Sequence, residues 1–526
     1  MGQKKETLIL SIVLAVTLSL SLIVSLFFKE QWLWMDEVLS YILISDPSIA
    51  HLNDAVVSGM DANPPLFANI YWFIGHAISL DPQFLRSVSV VIFAITIALF
   101  YDYTTTLIGK PVTNFVLITA IVSLTYLNLT LSTQVRAYAL FLLVGFSYFV
   151  SLHRLISSPD RLGLLTTFSL TGVLLVFAHN FGLFYLAASG AFFVGLFLWS
   201  RQRDYLLVLA AHGLIVLVWL LIWYPNFVIQ TNAGKPHSWI PLPTFQSFFN
   251  TVGELVPTVS ASLEHQSLFQ FLPILRFLFV TGLWLYLILP RLKQGFQTIK
   301  DDKAFTLYLL SGCIYLTTIA ISLVVTLVHT SVFISRYLWP GHLLLIYQLV
   351  YAYYNFFGSR SIRARTPTVI SRLLLPVYTL LLAGFLFYQN RKIVVFPSGI
   401  LSYLPQLNKQ YPVFVETADY FLPIWFHDKT TKIRYLLDWQ TAATEGNILS
   451  ATVEHKILKS VREKYDVPNI LSTQQFNRVT VPHFYVIDES SNYQIEHFIQ
   501  NGQVHVIRQL PIGIKGHRIL ECTLKS

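Results

Sequence analysis

The sequence predicts a polytopic α-helical membrane protein with a small soluble α/β domain at its C-terminal end. Three observations carry that prediction. The composition is 54% hydrophobic and only 12% charged, which describes a chain whose main solvent is lipid. Apolar runs long enough to cross about 30 Å of hydrocarbon recur through roughly the first 390 residues. Beyond them the hydropathy falls to that of a water-soluble segment of roughly 135 residues.

The apolar runs lie at residues 8–28, 87–107, 112–131, 138–156, 162–178, 181–199, 205–223, 268–289, 305–328, 337–354 and 373–388, about eleven spans in all. The first is too long, and its flank too bulky, for a cleaved signal peptide, so it reads as an anchor. The closely spaced fifth and sixth fit either two spans or a re-entrant hairpin, and the orientation downstream is the same in both cases. Lys4, Lys5, Lys110, Arg154, Arg161, Arg201, Arg203, Arg291 and Lys293 fall in alternate connections. Short cytoplasmic loops retain such residues, so the N-terminus is expected inside. Arg391 and Lys392 after the last span pull the other way; if they lie inside, one span is miscounted and the C-terminal domain is cytoplasmic. The net charge of +9 is then a topology signal, not a nucleic-acid surface.

On this topology the protein is a multi-pass cell-membrane protein with three long outer segments: 29–86, 224–267 and everything after 390. The second is rich in proline and aromatic residues, with Lys235, His237, Trp239 and SWIPLPT, as suits the membrane interface. The division is therefore 1–390 in the membrane and 391–526 as an extracytoplasmic domain. Runs 413–416, 433–437, 483–488 and 504–508 alternate with helix-compatible stretches, giving the domain its α/β reading. Cys313 lies mid-span and Cys522 near the C-terminus, so no disulfide framework is indicated. CxxC, HExxH, P-loop and GxGxxG signatures are missing, which argues against an ATP-driven pump or a nucleotide-dependent enzyme.

What remains is a polar set that the topology brings to the outer boundary. Asp36, Glu37, Asp61 and Asn63 come from the first outer loop; Arg136 and Tyr138 open span four; His179 and Asn180 end span five; Arg336 and Tyr337 open span ten. Acids at a lipid boundary in a chain poor in charge are costly unless they carry function. The chemistry this set suits is group transfer from an anionic lipid carrier. An acceptor hydroxyl needs a carboxylate to take its proton as the new bond forms, and Asp36 is the candidate. A leaving phosphate needs fixed positive charge, for which the guanidiniums of Arg136 and Arg336 are better suited than ammoniums. Tyr138 and Tyr337 add hydroxyl donors or stacking faces beside them.

Blander roles compete with each assignment. Arg136 and Arg336 are also the type that snorkels to an interface. His179 fits a satisfied boundary histidine, and Pro64 and Pro65 fit the shaping of a helix start. The Trp and Tyr excess fits an interfacial belt.

As an ensemble, WMDEVLS, NPPLF, QVRAYAL, AHNFGLFYL and SRYLWP resemble the bacterial membrane glycosyltransferases of the GT-C fold. The pattern is similar to glycosyltransferase family 39, whose relatives include protein O-mannosyltransferases and the aminoarabinose transferases of lipid A. The resemblance spans about residues 8–390. It implies a polyprenyl-phosphate sugar donor, a lipid, glycan or protein acceptor, and direct displacement with inversion. It implies Asp36 as the base, Glu37 as the second acid of the first-loop pair, and donor-phosphate contacts from Arg136 and Arg336. Asp61, Asn63, His179, Asn180 and His237 are then candidate cavity residues. One departure is Asn63, where relatives often carry His or Lys before the paired prolines; a neutral amide offers only a neutral hydrogen bond there. Some relatives use a divalent cation, and Asp36, Glu37, Asp61 and His179 are of the ligand types one would take. The C-terminal domain is expected to help hold the acceptor. A competing class is a transporter or flippase of polyisoprenoid-linked saccharides, which places its charged and broken-helix sites near mid-membrane, often in two related halves.

Overall fold

The computed structural model describes residues 2–28, 32–233, 239–257, 271–358, 368–393, 398–444, 450–489 and 494–525. Each of the eleven apolar runs is helical. The helices are Gln3–Phe27, Pro82–Ile108, Pro111–Leu124 with Tyr126–Leu131, Tyr138–Ser157, Leu162–Ala178, Gly182–Ser200, Tyr205–Ile222, Leu272–Leu292, Lys303–Val328, Trp339–Tyr353 and Thr368–Lys392. Among the described residues seven are long and apolar enough to cross a membrane, and Pro111–Leu124 and Leu162–Ala178 are shorter apolar helices. The fifth and sixth runs are two separate helices joined at His179–Phe181.

The third run, read from the sequence as continuous over 112–131, is broken at Thr125, whose backbone is extended. Polar side chains make the break tolerable in an apolar setting. Thr125 Oγ1 donates to the Ile121 carbonyl at 2.8 Å, and Asn128 Nδ2 donates to the Val122 carbonyl at 2.9 Å. Carbonyls freed by a helix break must find such partners wherever water is scarce.

Contacts divide the chain into two compact units. One comprises Met1–Lys29, Gln83–Ile222 and Leu242–Ile393, and contains the long apolar helices. Small residues let those helices close up: a Cβ on Gly172 would lie 2.4 Å from Ile215 Cδ1. Behind the start of the Trp339–Tyr353 helix lies a buried polar network. Asn128 Oδ1 accepts from Trp339 Nε1 at 2.7 Å, and Asn128 Nδ2 lies 2.9 Å from His342 Nε2. The other ring nitrogen of His342 is 2.7 Å from the Leu255 carbonyl. A network with each member satisfied rigidifies its surroundings.

The second unit comprises Glu30–Pro82, Trp223–Pro241 and Val394–Ser526. Its six-stranded sheet contains β1 (Val413–Val415), β2 (Ile433–Leu437), β3 (Ile470–Ser472), β4 (His483–Glu489), β5 (Val504–Leu510) and β6 (His517–Leu524), in the order β3-β2-β1-β4-β6-β5. The first four run parallel, with Val413 beside Ile433 and Tyr485; β6 pairs antiparallel with β4 and β5. All three residues of β1 are buried, as in a parallel strand covered on both faces. Phe414, Leu436, Phe484, Val486, Phe498 and Leu520 belong to the core.

Crevices beyond the carboxyl ends of such strands are common ligand sites. Here the carboxylates at that edge are occupied in anchoring helices. Glu416 Oε1 accepts from the Ile495 amide at 2.6 Å, Glu454 Oε2 from the Ala418 amide at 2.7 Å, and Asp438 Oδ1 from the Thr441 amide at 3.3 Å.

Candidate active site

In the membrane-helix unit, three separate stretches meet around His179. The first is the turn before the Tyr138–Ser157 helix, which carries Arg136. The second is the turn after Leu162–Ala178. The third is the 3-10 turn Ser335–Leu338, which carries Arg336 and Tyr337. The His179 ring stacks on Phe141 at 4.9 Å, meets the Tyr337 ring edge-on at 4.7 Å, and lies 6.3 Å from the Tyr138 ring. Arg336 sits over the ring of Tyr337. Of the sequence-predicted residues, Arg136, Tyr138, His179, Arg336 and Tyr337 are thus gathered, and Asn180 follows His179 in the same turn.

The backbone explains why His179 is held there. Its carbonyl accepts from the Gly182 amide at 2.8 Å, and its Nδ1 accepts from the Phe181 amide at 3.1 Å. A Cβ on Gly182 would stand 2.5 Å from the Leu175 carbonyl oxygen, so only glycine fits this close approach. With Nδ1 accepting, the proton of the neutral imidazole is assigned to Nε2. That nitrogen is buried and has no hydrogen-bond partner among the described residues. Burial, then the charges of Arg136 and Arg336, lower the pKa of His179 to about 3. The group is a neutral N–H donor at physiological pH, and two guanidiniums act on it electrostatically.

The first-loop residues belong to the other unit. Asp36 and Glu37 lie in the first turn of the Met35–Ile44 helix, where negative charge complements the helix dipole. Adjacent helix positions point about 100° apart. Glu37 is fully buried and Asp36 is partly exposed. Asp61 and Asn63 are brought together: Asp61 Oδ1 accepts from the Asn63 amide at 3.0 Å and from Asn63 Nδ2 at 3.1 Å, closing the turn before Pro64 and Pro65. His237 lies outside the described residues.

Two residues passed over in the sequence bear on this site. Glu254 follows the Phe245–Gly253 helix and accepts from Ser335, the residue before Arg336. Arg86 is 1% exposed and sits one turn before Ser89, whose hydroxyl donates to the Gln134 carbonyl at 2.7 Å. An acid in a loop otherwise rich in proline and aromatic residues was the available signal for Glu254. Arg86 reads as an ordinary flank of its span. Among the described residues no three His, Cys, Asp or Glu side chains gather as a metal ion requires.

No protein-family profile and no curated protein matches the chain. Among solved structures it resembles the crystal structure of ArnT from Cupriavidus metallidurans bound to undecaprenyl phosphate. The TM-score is 0.51 at 13% identity, over 97% of each chain. The likeness shows the fold: a multi-pass helical membrane protein of GT-C type with a C-terminal soluble α/β domain, as expected from the sequence.

Proposed function

We propose that this protein is an integral membrane glycosyltransferase that moves a sugar from a polyprenyl-phosphate-linked donor to a lipid, glycan or protein acceptor on the outer face of the cell membrane. The observation that carries the reading is the cluster at His179: two guanidiniums and an unpartnered neutral N–H donor, in a fold shared with a protein crystallised with undecaprenyl phosphate. Such a set suits a phosphate ester whose negative charge grows as its bond to the sugar breaks.

In this reading the acceptor oxygen attacks the anomeric carbon while the bond to the phosphate oxygen breaks, inverting the carbon. Asp36 takes the acceptor proton, and the phosphate leaves with the electron pair. Arg136 and Arg336 hold the phosphate, His179 Nε2 donates to it, and Tyr138 and Tyr337 flank it. Between the adjacent acids, the partly exposed Asp36 is the base, and the fully buried Glu37 supports the helix start. The N-terminus is cytoplasmic and the C-terminal domain extracytoplasmic.

The test is sugar transfer by the purified protein in lipid with a panel of polyprenyl-phosphate sugars, comparing wild type with Asp36→Asn. The expected result is turnover in wild type and at least a 100-fold loss in Asp36→Asn with donor binding retained, roughly the worth of a general base. Equal turnover in both removes Asp36 as base. Transbilayer movement of the lipid-linked saccharide without sugar transfer assigns the protein to the transporter class instead.

A further inference from the structure

The C-terminal domain touches the first outer loop just ahead of Asp36 and Glu37 and again just ahead of Asp61 and Asn63. Three residues before Asp36, the Leu33 amide donates to His427 Nε2 at 2.7 Å, and Trp32 stacks on the same imidazole at 5.0 Å. Three residues before Asp61, the Ser58 carbonyl accepts from Ser460 Oγ at 2.8 Å. His427 closes the Ala418–His427 helix and Ser460 lies on the Ala451–Tyr465 helix, both inserted between strands of the C-terminal sheet.

A third attachment lies between these points. Asp46, 2% exposed, accepts from Tyr465 Oη at 2.8 Å through Oδ2, which also lies 2.5 Å from His51 Nδ1. Its Oδ1 accepts from the Ser48 amide at 2.9 Å, and its carbonyl from Trp72 Nε1 at 2.6 Å. One buried aspartate, through its carboxylate and its backbone carbonyl, therefore ties the end of the Met35–Ile44 helix, the start of Ile49–Ala55 and the Leu66–Ala77 helix to the last residue of a C-terminal-domain helix. Lys464 pairs with Asp54 beside it. All these residues belong to one compact unit.

We infer that the C-terminal α/β domain is a brace: through His427, Ser460 and Tyr465 it positions the first-loop segment that bears Asp36, Glu37, Asp61 and Asn63. This rests on the glycosyltransferase reading and deepens it. A base must stand within hydrogen-bond reach of its proton, and displacements of about 1 Å cost rates near 100-fold. The brace holds the stretch from Leu33 to Asn63 through Leu33, Asp46 and Ser58. The domain then acts on turnover of every acceptor alike, whereas a domain that grips the acceptor acts on acceptor affinity.

The experiment uses the full chain in lipid and four variants, His427→Leu, His427→Gln, Tyr465→Phe and Asp36→Asn, with thermal unfolding recorded for each. His427→Leu removes the acceptor of the Leu33 amide; His427→Gln supplies a carbonyl oxygen in its place. The expected result is a roughly tenfold fall in kcat for His427→Leu and Tyr465→Phe. Donor hydrolysis and sugar transfer should fall together, KM for donor and acceptor should stay within about twofold, and His427→Gln should recover much of the loss. Unchanged kcat in Tyr465→Phe and His427→Leu, or a change confined to acceptor KM, overturns the brace. Should His427→Leu fail to fold, Tyr465→Phe and His427→Gln decide by the same criteria. Full turnover in Asp36→Asn removes the premise about the site; an inactive Asp36→Asn beside a fully active His427→Leu removes the brace alone.

Discussion

His179 shows how one side chain's state follows from its surroundings. Burial and two nearby guanidiniums hold its folded pKa at about 3, against about 6.5 for an exposed imidazole. Between those values the unfolded chain binds more protons than the folded one, so stability falls as pH falls through that window. His179→Gln removes the titration but keeps a donor. Its melting temperature is expected to drop less between pH 7 and pH 5 than that of wild type, and an equal drop would show that His179 is not held neutral. The same variant should keep measurable donor binding where His179→Leu loses about tenfold or more, since only the former supplies an N–H to a phosphate oxygen.

The turns that present these residues depend on elements behind them. Gly182→Ala forces a methyl group to within 2.5 Å of the Leu175 carbonyl, so the turn from Leu162–Ala178 into Gly182–Ser200 must shift. Loss of about 2 kcal/mol of stability, together with weaker donor binding, is expected in thermal unfolding and binding measurements. Asn128→Leu strips partners from Trp339 Nε1, His342 Nε2 and the Val122 carbonyl. Buried polar groups left without partners cost about 1–3 kcal/mol each. A destabilisation of about 3 kcal/mol is expected; a change under 0.5 kcal/mol would mean that water replaces the amide. The break at Thr125 was hidden in the sequence because a run of mean apolar character does not reveal which polar side chain will cap a carbonyl. β3 and β6 escaped for similar reasons: three residues are too short for an alternation, and HRILECTL carries charges that mask its buried face.

For the molecule as a whole, orientation is the property with the plainest test. Val479 of the C-terminal domain is 95% exposed. The native thiols make little background: Cys522 is buried, with its pKa pushed up to about 12, and Cys313 lies within the Lys303–Val328 helix. Val479→Cys is expected to react with a membrane-impermeant maleimide in intact cells, or in spheroplasts where an outer membrane intervenes. Labelling only after lysis would place the domain in the cytoplasm and reverse the topology drawn from the Lys and Arg distribution. The positive-inside pattern is summed over many loops, so it is legible without tertiary structure.

The sequence by itself determined the multi-pass helical character of the chain, the helical character of its eleven apolar runs, the α/β character of the C-terminal part and the residue types offered for the candidate site. These follow from composition, run length and local pattern, which are properties of neighbouring residues. Tertiary structure alone decided that Arg136, His179 and Tyr337 meet, that Glu37 is buried while Asp36 is not, and that Asp46, unremarked in the sequence, joins the first loop to the domain some 400 residues away. Those outcomes depend on contacts between distant segments, where the desolvation of one carboxylate or imidazole is set by whatever the fold packs against it.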